Sequence, residues 1–235
     1  MNKTLTILTL TLAAAAGNIS AAQLDIEITN LTRGSFFTPL LVTAHPASAS
    51  LFSAGNIASA NLQQMAEGGD LTGLVADLTA VSATSIENPA SGLLAPGAST
   101  TTSLDTDSAP DNTQLSIVGM ILPSNDGFMG LNGITLPTQD GTYIYTINAY
   151  DAGTEANDEI VGGGAPGTAG FPAPGPVAAT LGSGGTGVIA TSEGFVHIHR
   201  NVLGDDNDSG GVSDMSNTVH RWLNPVARVV VTVAN

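Results

Sequence analysis

Cysteine is absent from the 235 residues. That excludes a disulfide framework, zinc–thiolate and iron–sulfur sites, and a cysteine nucleophile. Positive charge is scarce: Lys3 is the single lysine, and Arg33, Arg200, Arg221 and Arg228 stand against 20 acids, for a formal charge of −15. A surface of that sign repels phosphate backbones and anionic headgroups, so no nucleic acid and no electrostatically docked membrane is expected as a partner. Leu5–Ala16, the apolar run near the start, is too short to span a bilayer, and the final VVVTVAN carries no hydrophobic anchor. Acidic chains poor in apolar residues stay disordered, but 42% apolar against 11% charged residues supplies a core here. The length suits one domain.

Residues 1–22 combine a basic start at Lys3, the short apolar run, and small residues Ser20 and Ala22 at −3 and −1 of a cut before Gln23. This is the pattern of a signal peptide, and it predicts export to a periplasm or the medium, with residues 23–235 as the mature domain. Leu24, Ile26 and Ile28 alternate with Asp25, Glu27 and Thr29, as in a half-buried strand. Further strands are predicted at 36–44, 114–122, 143–150, 195–200 and 226–233, and short helices at 56–67 and 70–80. Residues 87–112 read as loop. Residues 155–194 hold eleven glycines and four prolines, so they read as a long coil excursion. Strands separated by turn-rich text, with little helix, predict an all-β antiparallel sandwich.

The informative side chains are acids at strand ends. Asp126, in L-P-S-N-D-G, follows the predicted strand 114–122, while Asp151 and Glu155, in Y-D-A-G-T-E, follow the strand 143–150. If the strands are neighbours, three carboxylates meet at one edge and repel unless a cation neutralises them. Oxygen ligands on adaptable loops favour Ca²⁺ over Mg²⁺. Gly153 allows the turn that brings residues 151 and 155 to the same ion.

These blocks, together with R-W-L-N-P-V-A-R-V-V-V near the C-terminus, closely resemble the spondin domain, which occurs in F-spondin and mindin and in exported bacterial proteins. The resemblance implies a C2-like sandwich of about eight antiparallel strands holding Ca²⁺. Animal members carry P-S-P-D-W and W-D-A-G-T-D, whose aspartates ligate the metal. The matching positions are Asp126, Asp151 and Glu155; Gly127–Phe128 and Tyr150 stand where the animal domains have Trp. It further implies a non-enzymatic module for adhesion or extracellular recognition, whose partner is an extracellular protein or glycan.

Other motifs are incomplete. Asp205, Asn207, Ser209 and Gly210 match the opening of an EF-hand loop, a second metal candidate, but position twelve is Ser216 rather than Glu. His197 and His199 lie two apart on a predicted strand and so face one side; with His45 or His220 they would supply a transition-metal site or a general base. Gly182–Gly187 satisfies G-x-G-x-x-G without the βαβ context, and residues 190–194 mimic a nucleophile elbow without the helix. Trp222, Arg221 and Arg228 read as residues of the fold. Two alternatives stay open: a metal-assisted hydrolase with His197 or His199 as base, and a structural envelope or matrix component that calcium only stabilises.

Overall fold

Leu24, Ile26 and Ile28 turn inward and Asp25 and Glu27 outward along the first strand, as the alternation predicts. The computed structural model describes residues 23–189 and 191–234; the leader expected at 1–22 lies outside them. In chain order the described residues form β1 (Gln23–Asn30), β2 (Phe36–Phe37) and β3 (Leu41–His45), then helices α1 (Ala60–Gly68) and α2 (Thr72–Ala80). Next come β4 (Thr84–Glu87), β5 (Ser99–Asp105), β6 (Gln114–Leu122), β7 (Gly127–Thr135) and β8 (Gly141–Asp151). A short helix α3 (Gly175–Ala178), then β9 (His197–Ile198) and β10 (Ala227–Ala234), complete the fold.

The described strands pair antiparallel in the order β4-β3-β6-β7-β8-β10-β1-β5, with β2 added to β6 and β9 to β8. The fold is therefore all-β, with eight strands on the main path. β8 belongs to both halves. Gly141–Ile147 pairs with β10, and Asn148–Asp151 pairs with β7. The sheet folds over on itself at that point, and its ends β4 and β5 approach each other, so the architecture is nearly a barrel.

The space inside is filled by Leu24, Ile26 and Ile28 of β1, Val229, Val231 and Val233 of β10, and Leu115 and Ile117 of β6. β6 is apolar on both faces because its other side is covered as well: Val118 and Met120 pack with Leu62 and Met65 of α1 and Leu74 and Leu78 of α2. Helix α1 starts where Ser59 Oγ accepts the Leu62 amide.

Three sequence expectations are corrected. The strand predicted over 36–44 is interrupted between β2 and β3. Residues 87–112 are not all loop, since β5 pairs with β1 along Ser99–Asp105. Its Ser/Thr composition suits an edge strand with one exposed face, and only Leu104 is a large buried apolar residue there. The segment after Asp126, for which no strand is predicted, forms β7; its three glycines carry no side-chain signal. No helix among the described residues is long and apolar enough to cross a membrane.

Candidate metal centre

Asp151 is the last residue of β8 and has a strand on each side. In one direction it pairs with Gly127 of β7, the residue after Asp126; in the other it pairs with His197 of β9. Register alone therefore places one carboxylate and one imidazole beside Asp151.

Asp126 is fully buried. Its Oδ2 accepts the amides of Thr154 (2.7 Å) and Glu155 (3.1 Å), while Oδ1 is buried with no hydrogen-bond partner. The backbone ties the corner together, since the Ala152 amide donates to the Asp126 carbonyl at 3.2 Å. Burial, and then the charge of Asp151, push the Asp126 carboxyl up to about 8, against the downward pull of the two amides. Asp151, also buried, accepts the Gly153 amide at Oδ1 (2.8 Å) and the Asn157 side-chain amide at Oδ2 (2.8 Å). Two glycines permit this packing. Gly153 has φ +68°, and a Cβ there would stand 2.3 Å from the Phe195 carbonyl; a Cβ on Gly127 would stand 2.9 Å from the His199 ring.

Glu155 belongs to the same turn, and its charge adds to the upward push on Asp126. Oε1 accepts the Asn125 side-chain amide (3.0 Å) and the Gly170 amide (2.6 Å), and burial pushes this group up to about 7. Its amide donates to Asp126 Oδ2, so backbone and carboxylate of Glu155 both act on that group.

The two histidines both approach Asp151. His197 Nε2 lies 3.6 Å from Oδ1, and His199 Nε2 lies 3.9 Å from Oδ2. Glu193 Oε2 joins them, 3.9 Å from His197 Nε2, while Glu193 Oε1 accepts Arg200 at 2.8 Å. Asp151, Glu193 and His197 each offer a ligand atom, all within 4.8 Å of one another, so this acidic and imidazole cluster, one buried and two half-buried residues, has the composition and spacing of a metal site. Sequence reasoning missed Glu193, which it treated only as part of a failed elbow motif; its place four residues before His197 was the available signal.

His45 and His220 take no part. His45 Nε2 is bonded to Ser116 Oγ (2.7 Å), and His220 sits between the Ser216 amide and Thr180 Oγ1. In the run at 205–210, Asp205 accepts the amides of Asn207, Val212 and Ser213, and Asn207 Oδ1 accepts that of Ser209. These backbone bonds hold the Asp205 carboxyl below the usual range.

The family model described as Spondin_N matches residues 30–159, more than half of the chain. The match includes Asp126, Asp151 and Glu155 and stops before Glu193 and His197. A comparison with curated proteins gave no match.

Proposed function

This chain belongs to the Spondin_N family, and on that premise we propose that it is an exported, non-enzymatic module for adhesion or extracellular recognition that binds Ca²⁺ at one end of its sheet. Asp126, Asp151 and Glu155 hold the ion, and the bonds of Glu155 Oε1 fix the 151–160 turn around it. The observation that carries the reading is Asp126 Oδ1, a buried oxygen without a partner beside a second buried carboxylate. An uncompensated pair of that kind is costly, and a hard divalent cation with oxygen ligands relieves it. A bound ion would also stiffen the turns on both sides of Asp151, which gives an extracellular partner a defined surface. That partner is a protein or a glycan.

The test is thermal unfolding of metal-stripped protein during a calcium titration. At calcium about 100-fold above Kd, ligand linkage stabilises by about 2.7 kcal/mol, which is roughly 5–10 °C for a chain of this size. Asp151→Asn and Asp126→Asn should each remove most of that response. Identical melting in calcium and in EDTA would overturn the reading.

One observation favours a second reading, ion-assisted hydrolysis: two histidines lie within 4 Å of Asp151, and His199 lines a cavity of about 210 Å³ together with Asp151 and Asn157. Turnover of ester or phosphoester substrates that vanishes in both His197→Gln and Asp151→Asn would favour it over a recognition module.

A further inference from the structure

His197 and His199 are two residues apart, yet they carry their protons on opposite nitrogens. His197 Nδ1 lies 2.8 Å from the Ile198 carbonyl, which only accepts, so Nδ1 bears the hydrogen and in the neutral ring Nε2 presents a lone pair. His199 Nδ1 accepts the Asn201 amide at 2.9 Å, so in the neutral ring Nε2 bears the hydrogen. A ring whose Nδ1–H is held by a backbone carbonyl is set up to ligate a metal through Nε2. A ring with the other tautomer is a donor. The sequence alone made the two histidines equivalent; the hydrogen bonds separate them.

The lone pair of His197 faces Asp151 Oδ1 at 3.6 Å and Glu193 Oε2 at 3.9 Å. Both separations exceed a hydrogen bond, and neither His197 Nε2 nor Glu193 Oε2 has a hydrogen-bond partner although both atoms are buried. Ligand atoms about 2.1 Å from a shared ion stand no more than about 4.2 Å apart, so both distances suit one small cation. His199 approaches the same carboxylate from its other oxygen. Its side chain is only 2% exposed, and its unpartnered Nε2 faces the other oxygen of Asp151.

We propose a second metal position on the outward side of Asp151, formed by Asp151 Oδ1, Glu193 Oε2 and His197 Nε2, which takes a borderline first-row divalent ion such as Zn²⁺ rather than Ca²⁺. The nitrogen donor sets the preference, because calcium takes oxygen ligands whereas imidazole suits zinc and its neighbours. Arg200 holds Glu193 Oε1 and leaves Oε2 to the ion. His197 and Glu193 side chains are each 17% exposed, so the position lies at the surface and keeps a place for water or for a donor from a partner. His199 stays outside the ligand set and presents its N–H toward Asp151 Oδ2. The position shares Asp151 with the proposed calcium site but does not depend on it.

The experiment uses tag-free, metal-stripped protein titrated with Zn²⁺ by calorimetry, with nitrogen-15 spectra of the histidine side chains recorded on the wild type. One zinc per chain is expected, with His197 Nε2 shifting as a ligand while His199 keeps its Nε2–H. His197→Gln and Glu193→Gln should each weaken zinc by more than about tenfold and leave the calcium response in place. Asp126→Asn should do the reverse. No zinc binding, an imidazolium at His197 paired with both acids, or zinc shifts at His199 instead of His197 would each overturn the proposal. So would loss of both responses in Asp126→Asn, which would mean a single shared site.

Discussion

At the scale of single residues, Asp126 makes stability depend on pH in a definite direction. Its folded carboxyl titrates at about 8, whereas in an unfolded chain an aspartate titrates near ~3.9. Between those values the folded state binds the extra proton, so metal-free protein loses stability as the pH rises. Burial pushes His199 and His220 down to about 4, and these act in the opposite sense below the ordinary histidine range. Above pH 7 their contribution is over, and Asp126 sets most of the slope, with a smaller share of the same sign from Glu155, which titrates at about 7. Urea unfolding in EDTA should therefore show a loss on the order of 1 kcal/mol from pH 7 to 8. Asp126→Asn should flatten that slope, and so should saturating calcium in the wild type. An unchanged slope in the variant would remove Asp126 as its source.

At the scale of elements, the long excursion after β8 holds its course with only the one-turn helix α3 as regular structure because buried carboxylates collect its backbone amides. Glu159 accepts the amides of Leu203 (2.6 Å) and Gly204 (2.8 Å) and the Ser213 hydroxyl (2.7 Å). Asp214 accepts those of Val161 and Gly185, and Glu67 of α1 reaches across to the Gly167 amide. Part of the acidity that composition shows as net charge is thus internal scaffolding. Glu159→Ala leaves three donors without their acceptor and should cost about 2–4 kcal/mol. Denaturant unfolding measures the loss, and limited proteolysis should cut the 160–190 region faster in the variant. Unaltered stability would mean that water replaces the carboxylate. The strands with apolar alternation, β1 and β10, and the doubly buried β6 were legible in the sequence, as was the aromatic and β-branched β8. β5 and β7 were not, because edge serines and threonines, or glycines, leave no hydrophobic period to read.

At the scale of the whole molecule, 20 acids face few cations, and two of the four arginines are already engaged with acids: Arg200 with Glu193, and Arg228 with Glu27 at 3.5 Å. Self-repulsion among the remaining acids weakens the folded state, and salt shortens its range. Raising sodium chloride from low concentration to about 0.5 M should raise the Tm of metal-free protein by roughly 2–4 °C, the equivalent of ~1 kcal/mol. Differential scanning calorimetry checks this, and a fall in Tm would show that specific ion pairs outweigh the general repulsion. The sequence by itself determined the all-β class, the family, and the placing of Asp126 and Asp151 at strand ends, because alternation and local motifs are short-range properties of the chain. Tertiary structure alone decided that β9 returns across the glycine-rich excursion to pair with β8. That pairing sets His197 opposite Asp151 and draws Glu193 in beside it. It also decided which histidine nitrogen carries the proton, since that depends on the backbone group each ring meets, and spacing along the chain holds no record of it.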